Sequence, residues 1–231
     1  MLILSSEILL ILRKKEIVAM NDSNNKDKKY VALTFDDGPN LDITPLVLDK
    51  LEEHGVVASF FLIGKFINND TKPILERQLQ LGCEIENHSW NHNHMDKYSA
   101  QEITDEINRT NEIIRDMVEV TPQFFRPPYI SLSPTMYEAI DLPFICGINC
   151  LDWDPTVSAK ERAEIVLRDV KDGDIVLLHD LTGNKNTVDA LDEIIKGLKE
   201  DGFTLVTVSK LFELTGVNPK VKNKIWTNTY S

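Results

Sequence analysis

The sequence predicts an α/β fold: a distorted (β/α) barrel of about seven parallel strands in a single domain. Three observations predict it. Short β-rich runs alternate with amphipathic segments along the chain, several runs are almost wholly apolar, and polar clusters fall at the runs' C-terminal ends. A strand covered on both faces needs no polar alternation, so Ile175-Val176-Leu177-Leu178 reads as a buried parallel strand. Barrels and doubly wound sheets both place their chemistry at the C-terminal strand ends.

The runs, in order, are Tyr30 to Asp36, Ala58 to Gly64, Cys83 to His88, Phe124 to Arg126, Phe144 to Asn149, Asp174 to His179 and Thr204 to Val208. Helix signals lie between them. Ser99 with Glu102 forms a capping box ahead of Ile103, Ile107, Ile114 and Met117, and Ser158 with Glu161 repeats it. Gly202 reads as the terminator of the Val188 to Glu200 run. Residues 1–28 are expected as an N-terminal tail outside the fold, 29–217 as the catalytic domain, and 218–231 as a C-terminal tail.

The 231 residues, 42% of them hydrophobic, suffice for one sizeable core. A net charge of −12 repels phosphate backbones and anionic headgroups, so neither nucleic acid nor a membrane surface is an expected partner. Cys83, Cys146 and Cys150 are an odd set without paired spacing, expected as buried apolar residues rather than disulfides. The first 20 residues carry Glu7 inside their apolar run and Arg13, Lys14 and Lys15 after it, the reverse of an export signal. A cytoplasmic location is therefore expected, with an extracellular one as the alternative. The sequence sets no oligomeric state.

Asp36-Asp37-Gly38 closes the first run, and a Gly38-Pro39 turn can bring both carboxylates to one rim; a backbone-capping turn is the alternative. His88 and His92 are spaced to aim two imidazoles at one ion, with Asp37 as a third ligand and positions left for water and substrate. Exposed imidazoles are the competing reading, and the one preferred for His94 and His54. Arg126-Pro127-Pro128-Tyr129 sets a guanidinium suited to a bidentate hold on Asp36, and a rigid Tyr129 amide suited to an oxyanion; a polyproline turn anchoring a loop is the alternative. His179 ends an apolar strand, where Asp152 is a candidate tuning partner and Trp153 a wall; a satisfied core histidine is the alternative that its company outweighs.

With these residues in view, the chain resembles the polysaccharide deacetylase family, carbohydrate esterase family four, over roughly Lys29 to Val217. The resemblance rests on Thr34-Phe35-Asp36-Asp37-Gly38, His88-Ser89-Trp90-Asn91-His92, Arg126-Pro127-Pro128-Tyr129, Asp152-Trp153 and Leu177-Leu178-His179. It implies a divalent ion, zinc first with cobalt or nickel as alternatives, held by Asp37, His88 and His92. It implies Asp36 as catalytic base oriented by Arg126, the Tyr129 amide as oxyanion donor, His179 as acid, and Leu177 in an acetyl-methyl pocket. Trp153, Leu177 and Pro128 are expected along the substrate groove.

Two departures stand out. Asn149 replaces the aspartate that opens the fourth motif in many members, which puts the tuning of His179 in doubt, and Ile130 follows Tyr129 where glycine is usual. The stretch Phe124 to Thr156 looks closer to acetylxylan esterases than to peptidoglycan enzymes. The expected activity is metal-dependent removal of acetyl groups from an acetylated carbohydrate, leaning to O-acetyl xylan. N-deacetylation of peptidoglycan or chitin-type polymers is the alternative, and an inactive metal-containing carbohydrate-binding module is the reading of a different class.

Overall fold

The computed structural model describes residues 28–230. The expected N-terminal tail, apart from Lys28, lies outside the described residues. The elements are β1 (Lys29–Asp36), α1 (Thr44–His54), β2 (Ser59–Leu62), α2 (Lys72–Gln80), β3 (Glu84–Asn87), α3 (Ala100–Val118), α4 (Pro134–Ala139), β4 (Phe144–Ile145), β5 (Ile148–Asn149), α5 (Ala159–Asp169), β6 (Asp174–His179), α6 (Lys185–Glu200), β7 (Phe203–Leu205), α7 (Val208–Thr215) and β8 (Ile225–Trp226). Both expected capping boxes form, at Ser99 before α3 and at Ser158 before α5. Gly202 takes a φ of 84° just past α6, where an L side chain would be strained.

Every pairing between these strands is parallel, and the main sheet runs β3-β2-β1-β6-β5, with β7 beside the start of β1. The ring closes through one residue: Phe125 bridges Asn87 of β3 on one side and Phe144 of β4 on the other. The expected strand Phe124 to Arg126 is thus reduced to a single bridge. Pro127 and Pro128 carry no N–H to extend it, and the amides of Gln123 and Phe124 are taken by the buried Glu86 carboxylate at 2.7 and 2.8 Å.

The expected strand Phe144 to Asn149 breaks in two at Cys146-Gly147. There the backbone presses against β6 so closely that a Cβ on Gly147 would sit 2.9 Å from the Ile175 carbonyl and the Leu177 amide. The last expected strand ends at Leu205 rather than Val208, because Thr207 caps α7 instead.

The segment after Val217, expected as a tail, folds back onto the barrel. Its two-residue strand β8 pairs with β4, Trp226 is 4% exposed with its ring edge-on to Phe212, and Tyr230 donates to Asp174 at 2.7 Å. A strand of two residues has no period to read, so sequence patterning could not reveal it.

Side-chain alternation then positions the site. On β1, Val31, Leu33 and Phe35 face the helices in the main core, while Tyr30 and Ala32 belong to a second cluster that also holds Phe61, Ile145 and Ile175. Thr34 and Asp36 continue that second row toward the C-terminal end, so the barrel interior turns from apolar to polar along its axis. Trp226 closes the apolar end of this interior against Phe212. Replacing Trp226 by Ala is expected to lower stability by ~3–5 kcal/mol, the usual cost of deleting a buried aromatic ring. Urea unfolding at neutral pH measures it, and a loss well below ~1 kcal/mol would show that β8 is dispensable.

Candidate active site

Asp36 and His179 are register partners on the adjacent strands β1 and β6, so their side chains emerge on the same face at the polar end of the barrel. Asp37 would point away on a continuing strand. Instead it takes a φ of 77°, leaving the strand one residue earlier than the Gly38-Pro39 turn implied and bringing the second carboxylate to the same rim. Gly38 is needed next, since a Cβ there would lie 2.6 Å from the buried Asp180 carboxylate.

Asp37, His88 and His92 converge, with one ligand atom from each within 4.8 Å of the others. His92 Nε2 lies 3.1 Å and His88 Nε2 3.5 Å from Asp37 Oδ1, yet that oxygen is buried without a hydrogen-bond partner. His88 Nδ1 donates to the Arg126 carbonyl at 2.7 Å, which fixes the proton there and leaves Nε2 with a lone pair facing Asp37. An orphaned carboxylate oxygen opposite two imidazole nitrogens is a donor set that fits a divalent ion of the zinc type.

The protonation states agree with that fit. Burial alone would raise the Asp37 carboxyl, but contact with His88 and the charges of His88, His92 and His179 outweigh it and bring its pKa to about 2. Burial, with the neighbouring His88 charge, lowers His92 to about 4 despite Asp37 and Asp36. At neutral pH the pair is therefore an ionised carboxylate and a neutral imidazole, the forms that bind metals.

Arg126 is fully buried beneath Asp36. Its Nη1 donates to Asp36 Oδ1 at 2.6 Å and to Thr34 Oγ1 at 2.8 Å, while Nη2 donates to the Cys146 carbonyl at 2.6 Å. The expected bidentate hold is thus replaced by a single ion-pair hydrogen bond, because the other nitrogens serve the backbone of the β4–β5 break. Asp36 Oδ2 stays free of Arg126 and lies 3.8 Å from His88 Nε2.

Tyr129 and Ile130 follow with φ of 57° and 53°, two successive left-handed residues closed by the Ser131 amide donating to the Pro128 carbonyl at 3.1 Å. The Tyr129 ring lies between those of His92 and His94, at centroid distances of 4.6 and 4.0 Å. His94, preferred as an exposed imidazole, is exposed but stacked, and His54 instead meets Asp192 of α6 at 2.8 Å. A cavity of about 490 Å³ is lined by Asp36, Asp37, His88, His92, Pro127, Tyr129, Ile130, Asn149, Trp153, Leu177 and His179. Pro128, expected along the groove, is not among the residues lining this cavity; the preceding Pro127 is.

His179 Nδ1 donates to Asp152 Oδ1 at 2.7 Å, and its amide donates to Asp152 Oδ2 at 2.6 Å. Burial alone would lower the imidazole pKa. The hydrogen bond and charge of Asp152, with the charges of Asp36 and Asp37, outweigh it and raise the value to about 9. The doubt attached to Asn149 is thereby removed: Asp152 holds the imidazole, while Asn149 lines the cavity and caps the Leu151 amide at 3.2 Å.

Sequence reasoning missed Glu106 of α3. Its carboxylate takes the amides of Trp90 and Asn91 and the Asn91 side chain at 2.6–2.9 Å, fixing the loop that carries His92. A glutamate inside an amphipathic helix carries no signal of such a role. Asn87, whose Oδ1 takes the Ser89 amide at 2.8 Å, steadies the same loop from β3. The cysteines are free, and burial raises the Cys83 and Cys150 thiols to about 11 and about 12. No helix among the described residues is long and apolar enough to cross a membrane.

Comparison with known proteins bears on this geometry. The family model described as Polysaccharide deacetylase matches residues 23–143. The chain is 51% identical over 206 residues to a bifunctional xylanase/deacetylase of Pseudobutyrivibrio xylanivorans, covering 89% of this chain and 34% of that protein, so it spans about a third of the relative's length. The Xyl-CE4 domain of a multidomain xylanase from the hindgut metagenome of Trinervitermes trinervoides superposes with a TM-score of 0.86 at 50% identity, over 88% of this chain and 98% of that one. A family 4 acetyl xylan esterase from Clostridium thermocellum, in complex with a cobalt ion, gives a TM-score of 0.85 at 42% identity, over 88% and 100% of the two chains.

Glu106 supplies the test of how the ligand loop is held. Glu106→Ala is expected to weaken zinc binding by roughly 10- to 100-fold, the usual effect of losing support behind a ligand. Isothermal titration of the metal-free protein reads this, and unchanged affinity in the folded variant would remove Glu106 from the site.

Proposed function

The chain belongs to the polysaccharide deacetylase family, and we propose that it is a metal-dependent carbohydrate esterase removing O-acetyl groups from xylan or xylo-oligosaccharides. The observation that carries the reading is the register pairing of Asp36 with His179 beside a cavity that the Asp37-His88-His92 donor set also lines. A base, an acid and a ligand triad then face one cavity, which a hydrolase needs and a binding module does not. The xylan preference is supported by the relatives' described activities. Asn149 lends it no support through a weakened acid, since Asp152 holds His179.

In this reading Asp37, His88 and His92 hold the ion, with zinc first and cobalt or nickel as alternatives. The chemistry such an ion supplies is activation of water, from a pKa of ~15.7 toward ~7, and polarisation of a carbonyl. Asp36 Oδ2, left free by the single bond from Arg126 to Oδ1, accepts the proton of the attacking water. The Tyr129 amide, which donates to no protein acceptor among the described residues, is left free to donate to the developing oxyanion. His179, its Nδ1 proton committed to Asp152, presents Nε2–H to the departing sugar oxygen. Leu177 and Ile130 give the acetyl methyl an apolar wall, and the half-exposed Trp153 offers a sugar-stacking face.

Acetate release from acetylated xylo-oligosaccharides, compared with N-acetylglucosamine oligomers, tests the substrate. The expected result is a higher kcat/KM on the xylan side, and the reverse order would replace this reading with the N-deacetylase one. Chelator treatment is expected to abolish turnover and added zinc or cobalt to restore it; undiminished turnover without metal sinks the mechanism. Asp36→Asn is expected to retain metal but lose at least ~100-fold in kcat, the usual contribution of a positioned base. His179 is protonated below its pKa of about 9, so the rate should hold through neutral pH and fall as pH rises through that value. An alkaline limb unaltered in His179→Asn would show that another group is the acid.

A further inference from the structure

Arg162 of α5 is 1% exposed and makes no ion pair among the described residues. A guanidinium stays charged at any physiological pH, so its burial demands compensation. Nε donates to the Val157 carbonyl at 3.0 Å, Nη2 to the Asp154 carbonyl at 2.9 Å, and Nη1 to Asn184 Oδ1 at 2.6 Å and to Thr187 Oγ1 at 2.8 Å. These acceptors are all neutral. The Thr187 hydroxyl, its oxygen held by Arg162, spends its own proton on Asp152 Oδ2 at 2.9 Å. Asp152 is fully buried and is the carboxylate that grips His179 at 2.7 Å.

We propose that Arg162 and Thr187 are positioning residues for the acid: a buried cation relayed through one hydroxyl sets the orientation and charge of Asp152, and through it the proton affinity of His179. The geometry is continuous, Arg162 Nη1 to Thr187 Oγ1 to Asp152 Oδ2, with Asp152 Oδ1 turned to the imidazole. Each carboxylate oxygen thus has a separate duty. The donors on Oδ2 draw charge away from Oδ1, weakening its pull on the imidazole proton so that His179 can release it. A grip without this relief would make His179 a poorer acid. The arrangement also ties α5 and α6 to the cavity, since Arg162, Asn184 and Thr187 join the two helices behind the Asp152 loop.

Other charges face the imidazole and set the background for any change. Asp36 and Asp37 stand at the end of β1, with Arg126 on Asp36 and His88 and His92 on Asp37. Asp180 follows His179 in the chain, and its carboxylate is turned away toward the Thr44 hydroxyl. None of these touches Thr187, so a variant there alters one relay and leaves the rest.

The inference rests on His179 being the acid, and the experiment separates the two. Thr187→Val keeps the side-chain shape and deletes the hydroxyl. NMR titration of the His179 imidazole in zinc-loaded protein is expected to show its midpoint moved upward in Thr187→Val and in Arg162→Gln, and restored in Thr187→Ser. The alkaline limb of the kcat/KM profile should move upward with it while kcat falls. A folded Thr187→Val whose His179 midpoint is unchanged or lowered overturns the relay, and if Arg162→Gln does not fold, Thr187→Val decides alone. A moved midpoint with an unmoved rate profile supports the relay and counts against His179 as the acid.

Discussion

The fully buried Arg126 guanidinium is the interaction on which the rest of the site depends. It holds Asp36 and Thr34 on β1, and the carbonyl of Cys146 at the break between β4 and β5. Its own carbonyl accepts from His88 Nδ1, so one residue fixes the proposed base, a proposed metal ligand and the closure of the barrel. A buried charge stripped of its partner costs ~3–5 kcal/mol, and each of the three guanidinium nitrogens here has an acceptor. Phe61 lies under the guanidinium at 4.1 Å and completes its enclosure.

Around that rigid centre the chain stores strain. Among the described residues, six of the eight non-glycine residues with positive φ are Asp37, Ser89, His92, Tyr129, Ile130 and Leu151, all in loops at the polar mouth of the barrel. Such conformations cost ~1–2 kcal/mol each and persist only where neighbours over-determine them. Here the neighbours are identifiable: Glu106 and Asn87 clamp the Ser89 to His92 loop, and the His92 and His94 rings hold Tyr129 between them. The β-branched Ile130 has no such clamp in the ring stack, and its side chain is spent on the cavity wall.

Electrostatics then divides the labour among groups a few ångströms apart. His92 is pushed down to about 4 and His179 up to about 9, although burial lowers both. The difference is the partner: His92 faces a second imidazole as well as Asp37, whereas His179 has Asp152 to itself. One histidine is thereby kept neutral and the other charged at neutral pH, as the proposed roles of ligand and acid require.

The sequence by itself determined the α/β alternation, the two capped helices and the residues that converge on the cavity, because strand periodicity and cap chemistry are local. It also placed Asp36, Asp37, His88, Arg126, Asp152 and His179 near strand ends, where a parallel barrel collects its chemistry. Tertiary structure alone decided what joins them. The closure through Phe125, the packing of Trp226, the support from Glu106 and the line from Arg162 through Thr187 to Asp152 are contacts between segments distant in the chain, and no local pattern encodes them. It also decided between Asn149 and Asp152 as the partner of His179: three positions along a loop are equivalent in sequence, and only the path of the backbone aims one carboxylate at the imidazole.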